Sequence, residues 1–146
     1  MKRFLLLLIA VISLTTNTLA QKNLATSAVF DGRYRGNPAA SETVITGSAL
    51  DGYNLDRYHG ITLKNLPDEA DFIEPLVIRD GSRAADKEVM YREGRLYYGF
   101  YVLPGSFSHR YLFYLNQNVA GGNKIVLVYM EGNASTSEIK KMMNLK

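Results

Sequence analysis

From Glu88 to Met130 the sequence is a series of aromatic and β-branched runs cut by tight-turn pairs, and this pattern restricts what the chain can become. Residues 88–92 and 95–102 flank Glu93-Gly94, a pair suited to a two-residue hairpin turn with positive φ. Leu103-Pro104-Gly105 makes the next turn. Residues 110–116 read as a strand and 118–123, with Gly121-Gly122, as a loop. Residues 124–130 form a continuous apolar strand, which calls for a central position covered on at least one face. Ser135-x-x-Glu138 is a capping box. After it Ile139, Met142, Met143 and Lys146 share one helical face, and Lys140, Lys141 and Asn144 share the other. The expected fold is α+β: a mostly antiparallel sheet, a β-meander in the C-terminal half, helices packed on one face and a C-terminal helix.

The first half is less regular. Leu24, Ala25, Ala28 and Val29 fall at helical spacing after Asn23, which predicts a short capped helix. Residues 42–46 and 57–64 predict two strands, with a loop or helical turn over 48–56 between them. Pro67 and Pro75 each suit the first position of a helix. Acidic residues over 68–74 suit its positive end. Ile73, Leu76, Val77, Asp80 and Ala84 then predict a helix over about 75–86.

The extreme N-terminus has a different character. Met1-Lys2-Arg3 is a short positive region, and residues 4–14 are apolar apart from Ser13. Thr18-Leu19-Ala20 reads as a small-x-small cleavage site. The apolar run is too short for a spanning helix, which needs about 20 residues. Residues 1–20 are therefore expected to be a cleaved signal peptide and 21–146 a single exported domain. The chain has no cysteine. A disulfide-free exported domain must rest on its packed core, and it fits a bacterial periplasm or a secreted setting. Two of the 17 cations lie in the signal, which leaves 15 against 14 anions. So near-neutral a surface gives nucleic acid and anionic membrane no electrostatic attraction.

The stretch Arg95-Leu-Tyr-Tyr-Gly-Phe-Tyr-Val-Leu-Pro104 belongs with Arg110-Tyr-Leu-Phe-Tyr-Leu and with Ile125-Val-Leu-Val-Tyr-Met-Glu-Gly-Asn-Ala-Ser135 and Glu138-Ile-Lys-Lys-Met142. Together with the signal and the front half, these resemble small exported proteins of an uncharacterised family, a domain of unknown function, from Bacteroidales-type bacteria. The resemblance implies a Gram-negative envelope and a helix-covered sheet. It carries no functional residues.

Candidate chemistry is sparse. His59 and His109 would need a third ligand from Asp51, Asp56 or Glu131 to hold a metal, and none of these lies at a ligand spacing. Ser106 and Ser108 stand beside His109 without a nucleophile elbow. No glycine-rich loop precedes a helix, and no cofactor is expected. Ten tyrosines and no tryptophan are the compositional oddity. Strict alternation along 95–102 would turn Tyr97 and Tyr101 outward beside Arg95, opposite Leu96, Tyr98, Phe100 and Val102. Such a Tyr/Arg surface suits a protein partner or an envelope ligand, although tyrosine also fits half-buried strands for packing alone. The expected function is a non-enzymatic binding domain with Arg95, Tyr97 and Tyr101 as its contact residues. The alternative is a small hydrolase of envelope polymers using His109 with Ser106 or Ser108.

Overall fold

The computed structural model describes residues 19–105 and 108–145. The expected signal up to Thr18, and Ser106, lie outside them. The order of elements is α1 (Leu19–Lys22), α2 (Ser27–Phe30), β1 (Ala40–Thr46), β2 (Leu55–Lys64), α3 (Ala70–Gly81), β3 (Asp86–Arg92), β4 (Arg95–Leu103), β5 (His109–Val119), β6 (Gly122–Gly132) and α4 (Thr136–Met142). Short 3-10 turns occupy Gly47–Leu50 and Pro67–Glu69. Among these residues no helix is long and apolar enough to cross a membrane.

The strands form one six-stranded sheet in the order β1-β2-β6-β5-β4-β3, antiparallel throughout. The chain is thus the α+β antiparallel fold that its turns predict. β6 lies between β2 and β5, and its apolar run divides by period two. Ile125, Leu127 and Tyr129 face one core, and Val128 and Met130 face the other. The helices accordingly divide between both faces rather than sharing one. α3 and the N-terminal segment cover the first core with Ile73, Val77, Val29 and Phe30 over Leu63, Leu112 and Tyr114. α4 covers the second with Ile139 and Met142, beside Leu50, over Tyr58, Phe100 and Tyr111.

Local chemistry explains the elements. Glu93 and Gly94 both take positive φ, 51° and 79°, as the β3–β4 hairpin requires. Ser135 Oγ accepts from the Glu138 N–H while the Glu138 carboxylate accepts from the Ser135 N–H, so the capping box is complete. The loop expected over 118–123 is much tighter. Asn118 pairs with Asn123 and Val119 with Gly122, and only residues 120–121 turn the chain.

Two helices differ from expectation. α3 begins five residues before Pro75 and ends at Gly81. Pro67 opens the preceding 3-10 turn, and Pro75 forfeits one bond in the second turn of α3. Ala70, Ile73, Val77 and Gly81 nevertheless hold one face of the helix against the sheet. Ala84 is not helical, and the Ala85 N–H already bonds the Val102 carbonyl. Near the N-terminus, Asn23 caps nothing. Residues 24–29 run as successive i→i+3 turns that tighten into α2 only at Ser27. Asp80 holds them there: its carboxylate accepts from the Ala25 N–H (2.8 Å), the Thr26 N–H (2.9 Å) and the Thr26 hydroxyl (2.7 Å).

One contact fixes how α3 sits on β4. The Tyr101 ring, 2% exposed, fills a slot between two glycines. A Cβ on Gly81 would lie 2.3 Å from Tyr101 Cε1, and one on Gly99 would lie 2.6 Å from Cε2. Either substitution must push the ring out of a packed core, which costs about 1–3 kcal/mol. We expect Gly81→Ala and Gly99→Ala each to lower the melting temperature by roughly 5–10 °C in calorimetry. Unchanged melting in both variants would mean that the slot does not set the helix position.

Candidate functional site

A bulge places the site. Met90 pairs with Tyr98 but Tyr91 pairs with Leu96, so Tyr97 is an extra residue on β4. Leu96 consequently enters the first core while Tyr98 enters the second, although strict alternation would keep them together. Tyr97 stands at the mouth of a cleft of about 360 Å³ lined also by Arg92, Arg95, Asn116, Asn118 and Asn123, with Pro67 and Ala70 at its side. Register brings the asparagines together. Asn118 and Asn123 are direct partners on β5 and β6, and Asn116 lies two residues along the same face.

The asparagines form an amide cluster. Asn123 Nδ2 donates to Asn116 Oδ1 (2.9 Å), to Asn118 Oδ1 (3.2 Å) and to the Gln117 carbonyl (3.3 Å). The Gln117 carbonyl can only accept, and this sets the orientation of the Asn123 amide. Asn123 Oδ1 is then a buried acceptor with no partner. The Asn123 backbone is clamped separately: its N–H bonds Asn65 Oδ1 (3.0 Å) and its carbonyl takes the Asn65 N–H (2.7 Å).

Two guanidiniums complete the cleft. Arg92 lies 3.9 Å above the centre of the Tyr97 ring. Arg95 donates to Glu74 and Asp71 on α3, each at 3.0 Å. The Glu74 hydrogen bond, followed by the charges of Glu74 and Asp71, raises the Arg95 pKa further above its usual range.

Of the residues expected to form a Tyr/Arg surface, Arg95 and half-buried Tyr97 do meet here. Tyr101 does not: α3 covers that face of β4 further along the strand, and the ring fills the glycine slot beneath it. Burial pushes its phenol up to about 12, so it is a core tyrosine and offers no contact surface. The three asparagines are absent from the sequence-based site. The signal was available in Asn116 and Asn118 at period two beside Asn123, since asparagine is depleted in strands that serve packing alone.

The histidines lie apart. His109 Nδ1 donates to the Ala134 carbonyl at 3.2 Å and lies 3.3 Å from the Tyr111 hydroxyl. His59 is fully buried on β2 against the Phe30 ring. Its Nδ1 accepts from Gln21 Nε2 (3.1 Å), so Nε2 carries the proton and donates to Glu42 (2.6 Å). Gln21 Oε1 in turn accepts from Arg57 Nε (3.1 Å). This chain of bonds ties α1 to β2 and β1. Asp51 and Asp56 are exposed, and Glu131 accepts from the Tyr129 hydroxyl at 2.6 Å. Among the described residues no three His, Cys, Asp or Glu gather as a metal site would need.

The chain belongs to a family of unknown function, DUF6108, whose model matches residues 13–143. The match takes in every strand of the sheet, α3, α4 and the whole cleft. No curated protein matches the chain.

The His59 network generates a pH prediction. Burial lowers the His59 pKa below its ordinary 6.5, outweighing the bond to Glu42. The folded chain keeps the ring neutral, whereas the unfolded chain protonates it near 6.5. The stability this confers is complete above that value and is lost as pH falls through it toward the folded pKa. Between pH 7.5 and about 5.5 the native chain should therefore lose more melting temperature than His59→Gln does. Parallel curves for the two proteins would contradict the neutral buried ring.

Proposed function

We propose that the chain is exported through a cleavable signal over residues 1–20. Residues 21–146 then act as a non-enzymatic binding domain of the bacterial envelope, with the Tyr97 cleft taking a hydroxyl-rich ligand of the saccharide class. The observation that carries this reading is the cluster of Asn116, Asn118 and Asn123 amides lining one cleft with Tyr97 and two guanidiniums. The surroundings fit the same chemistry. Amides and guanidiniums supply donors for ring oxygens, and the Tyr97 ring offers an apolar face for sugar C–H groups.

The start of the domain supports the export reading. Gln21 is fully buried with its side chain between Arg57 and His59. Cleavage after Ala20 preserves it as the first residue, whereas a later cut would remove the group that holds both partners. Mass spectrometry of the protein recovered from its native envelope should find Gln21 at the N-terminus. A chain that still carries residues 1–20 would refute the export step.

Calorimetric titration with envelope oligosaccharides tests the cleft. We expect binding by the native protein and at least a tenfold weaker Kd in both Asn123→Ala and Tyr97→Ala, or about 1.4 kcal/mol. Both variants should melt within a few degrees of native. Tyr101→Ala should instead lose several kcal/mol of stability, as core aromatic truncations do. Saccharide binding that survives both cleft variants, or a full panel with no binding, would overturn the reading.

A further inference from the structure

Cleavage after Ala20 would make Gln21 the first residue, and the fold gives that side chain a specific task. Its amide sits against two residues of β2. Oε1 accepts from Arg57 Nε (3.1 Å), and Nε2 donates to the neutral His59 ring at Nδ1 (3.1 Å). Residue 21 must therefore present one acceptor and one donor, both carried on the same carbon, Cδ. A side-chain amide meets that requirement. So does the five-membered lactam, pyroglutamate, that an N-terminal glutamine forms.

We propose that Gln21, once freed by cleavage, is a modification site: it cyclises to pyroglutamate and docks in that form. This rests on the export reading, since an internal glutamine has no amine with which to react. The α-amino nitrogen attacks Cδ, the N–Cδ bond forms and the Cδ–Nε2 bond breaks. Nε2 leaves as ammonia, taking one of the amine's protons, and no other reactant is consumed. The lactam keeps the carbonyl for Arg57. Its ring N–H takes the place on Cδ that Nε2 held, and with it the bond to His59.

Charge favours the ring. The free amine of a cleaved chain has an ordinary pKa of about 7.7–8.0 and is largely cationic at neutral pH. It would belong to a residue docked on the Arg57 guanidinium. The carboxylates nearby are already engaged: Glu131 pairs with Arg57 across the strands and accepts from Tyr129, and Glu42 accepts from His59. A second cation held there is disfavoured by the first, and the uncharged lactam removes it. The rest of the segment is indifferent to the change. The Gln21 carbonyl still takes the Leu24 N–H (3.0 Å), and Ala25 and Thr26 still bond Asp80. Both ends of the docked amide are engaged, so the reaction belongs to the interval between cleavage and docking.

Mass spectrometry of the protein recovered from its native envelope tests this, on the intact chain and on the N-terminal peptide released by cutting before Asp31. Both should begin at residue 21 and weigh one ammonia less than the sequence requires, and the chain should be blocked to amine-directed sequencing. Pyroglutamyl aminopeptidase should leave the folded protein untouched and remove the ring after denaturation. An N-terminus of unmodified Gln21 would overturn the cyclisation and leave export standing. An N-terminus at any other residue would overturn the cleavage and the cyclisation together. Removal of the ring from the folded protein would overturn its place between Arg57 and His59.

Discussion

The constraint on which this structure depends is that its central strand is apolar on both sides. Residues 125–130 send Ile125, Leu127 and Tyr129 into one core and Val128 and Met130 into the other. A sheet built around such a strand cannot leave either face in water. Each exposed face would forfeit roughly 1.5–3 kcal/mol for every large apolar side chain it uncovers. The helices must therefore split, α3 to one side and α4 to the other. With no cysteine in the chain, this double burial has to hold the fold without any disulfide staple.

The two covers are secured by different means. α4 follows β6 after a short turn, carries its own capping box, and sends Lys140 to Glu88 on the far edge of the sheet. The α3 face has a harder task, because part of its cover comes from residues 21–30, which form only single turns. Polar bonds do what helix length cannot. Asp80 takes three hydrogen bonds from Ala25 and Thr26, and Gln21 links Arg57 to His59. Buried polar groups stabilise little on balance, but they penalise every arrangement that leaves them unpaired. They thus select one docking position for a segment whose apolar content alone would tolerate several.

The same contrast explains how much could be read beforehand. Where local chemistry decides the structure, the residues announce it: Glu93-Gly94 for the hairpin, Ser135 and Glu138 for the cap, the apolar run for the central strand. Where a distant partner decides, they do not. Asn23 has the chemistry of a cap, yet the segment answers to Asp80, more than fifty residues away in sequence. Pro75 suits a first helical turn, but the apolar positions from Ala70 onward extend α3 in front of it. Tyr101 alternates with Tyr97 on paper, but the cover of α3 decides which of the two is buried, and a bulge at Tyr97 brings Leu96 to the same side. A bulge has no dependable signature, since it needs only one residue more on one strand than on its neighbour.

That bulge also accounts for the position of the cleft. A regular β4 would keep its alternation to the hairpin and put Leu96 on the face opposite Tyr101. The extra residue lets Leu96 reach the first core and leaves Tyr97 half-buried at the cleft, under Arg92. β5 and β6 end nearby in asparagines that pair across the two strands and not with the core. Sheet ends are where side chains can leave the packing without opening it. Three amides there, one with a buried oxygen still unpaired, are poor strand residues and good ligand contacts. The chain is buried and apolar where both cores meet β6 and polar where the strands run out, and the strand ends are where a binding site can be built without cost to the cores.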